Sequence, residues 1–302
     1  MKAEVENFLN HLSAERSLSP NTVAAYKNDL AQLEEFVGHA SARAGMVASW
    51  GLLDKAMLTD YLVGLREREY APATVARKVA ATRSFFNFLR SEGLLAKDPS
   101  QDIASLKVGK PLPHPLSVEE VETLLRQTAI RSAPDARRDR AMMELLYASG
   151  MRVSELVALD IPDLNVNECC VRCRGKGSRE RVIPVHPTAA QAVDQYIREA
   201  RPHLAHNAKE SALFLNRRGE RLTRQGFWLI LKAYAKDAGV RTDVTPHTLR
   251  HSIATHLLHS GKMNLRELQE FLGHSNIATT QVYTHLTTEY LHKVYDQAHP
   301  RA

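Results

Sequence analysis

Apolar residues recur every three or four positions over most of the chain, which is the spacing of amphipathic helices. "SPNTVAAYKNDLAQLEEFV" puts Val23, Tyr26, Leu30, Leu33, Phe36 and Val37 on one face, with Ser19 and Pro20 at the start. "APATVARKVAATRSFFNFLRSEG" begins in nearly the same way and ends at Gly93. These are two similar helix starts, not a repeat array. The period then changes: "ECCVRCRGKGSRERVIPVH" reads as two β-rich runs joined by a turn around Gly175 and Gly177, a hairpin. Helical spacing returns from "TRQGFWLILKAYAKDAG" onward. The pattern predicts a mainly α protein with a small antiparallel β-sheet, α+β in its second half, behind an N-terminal all-α helical bundle.

In "IASLKVGKPLPHPLSVEEV", Pro111, Pro113 and Pro115 alternate with single residues. Proline at every second position forbids helix and favours an extended connector. The expected organisation is an N-terminal helical domain over 1–108, a Pro-rich linker over 109–116 and a second domain over 117–302. A length of 302 residues suits two domains, each with its own core.

Composition adds a destination for this fold. Hydrophobic residues make up 44% and charged residues 25%, and no run of eighteen apolar residues could cross a bilayer. "MKAEVENFLN" lacks the apolar core and cleavage site of a signal peptide, so a cytoplasmic protein is expected. The net charge is +6 and the pI about 9.2, and the excess is uneven. Residues 1–110 carry 14 basic and 13 acidic groups, whereas 111–302 carry 26 and 21. A polyanionic partner fits that balance. Arg77, Lys78, Arg83 and Arg90 share a helix, and the hairpin adds Arg172, Arg174, Lys176, Arg179 and Arg181 against a single Glu180. Arg77, Lys78, Arg83, Arg90, Arg174 and Arg179 are the candidate DNA contacts, with a solvated charged face as the alternative.

All three cysteines lie in "ECCVRC", an odd, clustered set that fits a reducing compartment. Cys170 and Cys173 have no second pair to complete a zinc site, and on a strand they face opposite ways, so buried thiols rather than a metal are expected.

"TPHTLRHSIATHLLHSG" holds His247, His251, His256 and His259. On a helix starting at Pro246 with Thr245 as cap, Leu249, Ile253, Ala254, Leu257 and Leu258 define the buried arc. Arg250 and His247 fall inside that arc, His251 borders it, and His256 and His259 fall on the polar side. A buried guanidinium in a first turn is costly and opposes the helix dipole, so an anion should meet it: either a structural carboxylate or a phosphate. The anomaly repeats in "ASGMRVSELVALD", where Gly150 should end one helix. In the next, Arg152 points inward between Leu156 and Leu159, with Glu155 able to orient it.

Four blocks, "SGMRVSELVALD", "GKGSRERVIPV", "TPHTLRHSIATHLL" and "LGHSNIATTQVYTH", occur in an order and spacing that resemble the tyrosine recombinases, the phage-integrase-like family, and within it the Xer type. The likeness runs from "LSPNTVAAYKNDL" to "YDQAHPRA". It implies a two-domain DNA clamp, and an active site of Arg152, Lys176, His247, Arg250, His274 and the nucleophile Tyr283, without cofactor or metal. Under that resemblance the arginines hold the scissile phosphate, and Tyr283 forms a 3′-phosphotyrosyl link. His247 acts as general base, Lys176 as general acid, and His274 donates to a phosphate oxygen. The implied partners are a double-stranded DNA recombination site, a homo- or hetero-tetramer with a paralogous recombinase, and an FtsK-like DNA translocase; no membrane is implied. The implied task is resolving chromosome or plasmid multimers before cell division. Leu286, Tyr290, Leu291, Val294 and Tyr295 form a C-terminal stripe; one reading is a last helix folded onto its own domain, and the resemblance implies the other, a tail that docks on a neighbouring protomer and is dispensable for folding. The competing readings are a mobile-element integrase with the same chemistry, a DNA-binding protein that only grips phosphate, and a metal-dependent nuclease. The last lacks the glutamate of an HExxH motif, since position 248 is Thr.

Overall fold

In the computed structural model all residues are described except 15–17, 19, 69, 102–114, 175–179, 208, 241–243, 274–287 and 302, together with the side chains of residues 66, 288 and 289. The chain divides into two compact units, Met1–Pro111 and Leu112–Ala302.

In the first unit the helical stripes become helices α1 (Lys2–Ala14), α2 (Pro20–Arg43), α3 (Lys55–Glu67) and α4 (Pro72–Ser91). Pro72 suits the first turn of α4 because its missing N–H would have no partner there. Their apolar faces enclose one core around Phe8, Leu30, Leu33, Leu58, Phe85 and Phe86. Trp50 meets Phe85 edge-on with centroids 4.9 Å apart.

The basic face expected on α4 is only partly a face. Lys78 is 3% exposed, and its ammonium donates to Asp29 Oδ1 at 3.0 Å and Gln32 Oε1 at 2.9 Å. Arg77 is half-exposed but also binds Asp29, on α2, and the Ala25 carbonyl. Lys78 is therefore consumed inside the bundle and is withdrawn as a DNA contact. Its charge is compensated by a buried carboxylate that hydropathy spacing does not reveal. Arg83 and Arg90, by contrast, line an open groove along α4 with Ser84 and Asn87.

The second unit is built round α6 (Pro134–Ser149), which is buried on nearly every side from Ala141 to Ser149. Against it lie α5 (Val118–Thr128), α8 (Pro187–Gln195) and α11 (Pro246–His259). A π-turn over Tyr196–Ala200 carries α8 into α9 (Arg201–Leu204). Helix α10 (Arg224–Asp237) adds Phe227 and Leu231 to the core. The hairpin is present as β2 (Cys170–Arg174) and β3 (Glu180–Pro184), antiparallel, with Cys173 opposite Arg181 and Arg174 opposite Glu180. A two-residue strand β1 (Leu164–Asn165) pairs with β2 to complete the sheet. Two residues are too short to show alternation in a sequence. Short helices α7 (Val153–Ala158) and α12 (Leu265–Leu272) follow the turns at Gly150 and Asn264.

The C-terminal helix α13 (Thr288–Ala298) corrects the expectation of a tail given wholly to a neighbour. Leu291, Val294, Tyr295 and Ala298 are buried in the chain's own second unit. The Tyr295 hydroxyl donates to the Ala148 carbonyl and accepts the His186 amide, both at 3.1 Å. Arg301 donates to Glu144 Oε1 at 3.1 Å. A fully buried tyrosine with two backbone partners is part of the fold, so removing the tail should destabilise the second unit. Tyr290 stands exposed beside this stripe, and Leu286 lies outside the described residues.

The tail closes over two imidazoles, His186 and His299, whose ring centroids are 4.8 Å apart. Each Nδ1 accepts a backbone amide, from Ala189 and Arg301 respectively, both at 3.1 Å. Burial, and then the positive charge of Arg301, pushes His186 from 6.5 down to about 4; burial, and then His186, pushes His299 down to about 3. Both are neutral in the fold and protonate more readily once unfolded. Their contribution is present above pH 6.5 and is lost as the pH falls. The unfolding free energy, measured by urea denaturation, should drop by about 2 kcal/mol per imidazole between pH 6.5 and 5. His186→Asn, which keeps a capping acceptor, should flatten that slope.

Candidate active site

Two helices end at glycines in the left-handed region: α6 at Gly150, with φ 55°, and α12 at Gly273, with φ 65°. A Cβ on Gly150 would lie 3.0 Å from Leu272 Cδ2, so the two helix ends meet backbone to side chain. Helix C-termini leave carbonyl oxygens without intrahelical donors and carry the negative end of the dipole. Arg250 answers both at once. Its guanidinium donates to the Gly150 carbonyl and, at 2.8 Å, to the Leu272 carbonyl. Among the described residues no carboxylate lies within ion-pair distance of it. Arg250 is 9% exposed. Burial, and then repulsion from Arg152, pulls its pKa down to about 10. Among the described residues, then, two carbonyls rather than a carboxylate meet Arg250. Its hydrogen bonds are partly satisfied while its charge is not.

Arg152 takes the next carbonyl along. Its Nη2 donates to the Gly273 oxygen at 3.4 Å, so the two guanidiniums sit on consecutive carbonyls at the end of α12. Arg152 is the N-cap of α7, in extended conformation and with its side chain 41% exposed. This corrects the inward orientation read from a helical wheel, because a cap residue lies outside the helix whose wheel was used. Glu155, three residues on, does orient it. The carboxylate accepts the Arg152 amide at 2.7 Å and Arg152 Nη1 at 3.1 Å.

Arg181 completes the cluster and was not singled out from the sequence. From β3 it grips Glu155 with both terminal nitrogens, each at 2.9 Å. Burial alone would push the Glu155 carboxyl up; its bonds to Arg181 and to the Arg152 amide outweigh that and hold it below the usual carboxylate range. The available signal was the hairpin register, since Arg181 sits opposite the fully buried Cys173 and so on the same inward face of the sheet. Two of the three guanidiniums, Arg152 and Arg181, thus share one carboxylate, and Arg250 has none within ion-pair distance among the described residues. The imbalance favours an anion, and adjacent forked donors suit one with several oxygens.

The histidines rearrange. His247 and His251 are both exposed, and Leu258 with them, whereas His256 is half-buried. His256 Nδ1 accepts the Tyr147 hydroxyl and its Nε2 donates to the Leu116 carbonyl, both at 2.8 Å. The buried arc is rotated because Thr248, Ser252 and His256 form a polar ridge on which the Leu116 backbone docks; Ser252 Oγ accepts the Leu116 amide at 2.8 Å. His247 therefore lies outside the arc, in the first turn of α11, facing solvent. His259 is exposed as expected. Arg174 is exposed and pairs with Glu180 at 3.2 Å. Lys176, Arg179, His274 and Tyr283 lie outside the described residues. Among the described residues no three His, Cys, Asp or Glu side chains converge as metal ligands, and no helix is long and apolar enough to cross a membrane.

Residues 115–290 match the phage integrase family and residues 5–93 the phage integrase N-terminal SAM-like domain. The chain is 48% identical over 304 residues to tyrosine recombinase XerC of Roseiflexus castenholzii, covering 100% of this chain and 95% of that one. It is 43% identical to tyrosine recombinase XerD of Listeria monocytogenes, covering 99% of each. The fold resembles that of XerH site-specific recombinase bound to palindromic difH substrate, with TM-score 0.70 and 23% identity over 91% of this chain and 83% of that one. A lambda integrase (75-356) dimer bound to a COC′ core site gives TM-score 0.67 at 16% identity, over 95% and 99%. The chain belongs to the phage integrase family. Within it, the protein is a tyrosine recombinase, an enzyme of site-specific DNA recombination.

An undercompensated cation pair should bind free anions. Inorganic phosphate at tenfold its Kd should stabilise the protein by about 1.4 kcal/mol relative to chloride of equal ionic strength, a Tm rise of roughly 3–5 °C. Arg250→Met should remove the difference.

Proposed function

We propose that this recombinase cuts and rejoins duplex DNA through a 3′-phosphotyrosyl intermediate. Arg152, Lys176, His247, Arg250, His274 and Tyr283 form its active site. The observation that carries the reading is the pair of guanidiniums, Arg250 and Arg152, on the consecutive Leu272 and Gly273 carbonyls, with positive charge in excess of Glu155. They hold the non-bridging oxygens of one phosphate and stabilise the added charge of the pentacoordinate transition state. Tyr283 attacks phosphorus and the 5′-oxygen leaves; because the phosphodiester energy is kept in the tyrosyl link, no nucleotide cofactor is needed.

A tyrosine titrates near pH 10, so a base must take its proton. His247 serves, and its exposure at the start of α11 leaves the imidazole open to a nucleic acid backbone. Lys176 protonates the leaving oxygen and His274 donates to the phosphate. Arg83 and Arg90 on α4, and Arg174 and Arg179 on the hairpin, contribute sequence-independent backbone contacts.

Full-length similarity to Xer-named recombinases supports a tetramer on paired DNA sites, of one chain or with a paralogue. Its task is the resolution of chromosome or plasmid multimers in the cytoplasm, under an FtsK-like translocase. The test is a duplex nicked beside the scissile phosphate, mixed with protein in EDTA and run on a denaturing gel. A covalent protein–DNA adduct is expected from the wild type and none from Tyr283→Phe. An adduct that survives Tyr283→Phe, or none on a site the protein binds, overturns the reading.

A further inference from the structure

We infer that Arg181 is a positioning residue for strand cleavage: by occupying both oxygens of Glu155 it fixes Arg152 and keeps that guanidinium available to the scissile phosphate. This rests on the reading of Arg152 as a phosphate ligand.

The geometry separates the two arginines. Glu155 takes four donors, the amide and Nη1 of Arg152 and both terminal nitrogens of Arg181. The Arg181 contact is the forked one, with equal 2.9 Å bonds, and a fork sets the carboxylate plane as well as its charge. Arg152 contributes a single side-chain bond at 3.1 Å. Without Arg181, a buried carboxylate next to Arg152 would turn to take the fork from Arg152 instead and compete with phosphate for the same N–H groups. With it, Arg181 and Glu155 cancel each other, and the positive charges of Arg152 and Arg250 are left over.

A second observation is independent of Glu155. Arg181 lies so close to Gly273 that a Cβ there would be 2.8 Å from its Cζ and Nε. The Arg181 guanidinium thus lies directly against Gly273, the residue whose carbonyl accepts from Arg152. Among the described residues, Arg181 Nε is buried without a hydrogen-bond partner. A guanidinium kept with an unsatisfied donor is held for where it sits. Arg181 also stands in the second position of β3, so the sheet itself carries the clamp on Glu155 and, through it, on Arg152.

The test uses full-length protein with Arg181→Gln, Arg181→Lys, Arg152→Ala and the Arg181→Gln/Arg152→Ala double variant. Each is given nicked duplexes with either a normal phosphate or a neutral methylphosphonate at the scissile position. DNA affinity is read by gel shift and covalent adduct by single-turnover kinetics. Arg181→Gln should slow adduct formation on phosphate by roughly 10²-fold with DNA affinity unchanged. Arg181→Lys should recover only part of the rate, since an ammonium cannot fork. The defect should shrink on methylphosphonate, which carries one charge fewer for Arg152 to meet, and the double variant should be no slower than Arg152→Ala. Equal losses on both substrates, a loss confined to DNA affinity, or additive effects with Arg152→Ala overturn the inference. Wild-type cleavage by Arg152→Ala would instead overturn the phosphate-clamp reading beneath it. If Arg181→Gln does not fold by circular dichroism, Arg181→Lys carries the same comparison.

Discussion

One guanidinium joined to two helix ends organises the catalytic unit. Arg250 binds the carbonyl at the end of α6 and the carbonyl at the end of α12, and it belongs to a third helix, α11. Helix C-termini need donors, and a planar group with five N–H donors can serve two of them from a single point. Gly150 and Gly273 follow from the same requirement, because each ends its helix in the left-handed region and lets the backbone approach closely. The carbonyl dipoles satisfy hydrogen bonds without cancelling the charge. The fold therefore holds a cation that costs stability at neutral pH until an anion arrives.

Glu155 decides how much of that charge remains. A carboxylate facing Arg152 alone would form an ordinary ion pair. Facing Arg152 and Arg181 together, it offsets one charge and leaves the others. The arrangement is rigid at Glu155, which is buried and receives four donors, and open at Arg152, whose side chain is 41% exposed.

The parts of this protein legible in sequence were those governed by periodicity and termination. The helical stripes, the hairpin, the stop at Gly150 and the burial of Arg250 all follow from short-range rules. The misreadings share one cause. The wheel for α11 took the apolar residues as its buried centre. The actual face includes Thr248, Ser252 and His256, because the Leu116 backbone, more than a hundred positions away, needs a donor and an acceptor there. Lys78 looked like a surface cation until Asp29 from α2 met it. The resemblance placed the tail on a neighbour, yet Tyr295 finds the Ala148 carbonyl and the His186 amide within its own unit.

By itself the sequence determined the helical class, the small hairpin and two arginines whose placement asked for an anion. Those are consequences of side-chain spacing and backbone conformational limits, which act over a few residues. Only the tertiary structure decided which charges are compensated. That depends on pairings such as Arg181 with Glu155, Lys78 with Asp29 and Arg250 with two helix ends, made between elements far apart in the chain. The energy of a buried charge depends on what surrounds it in space, and sequence order does not specify that.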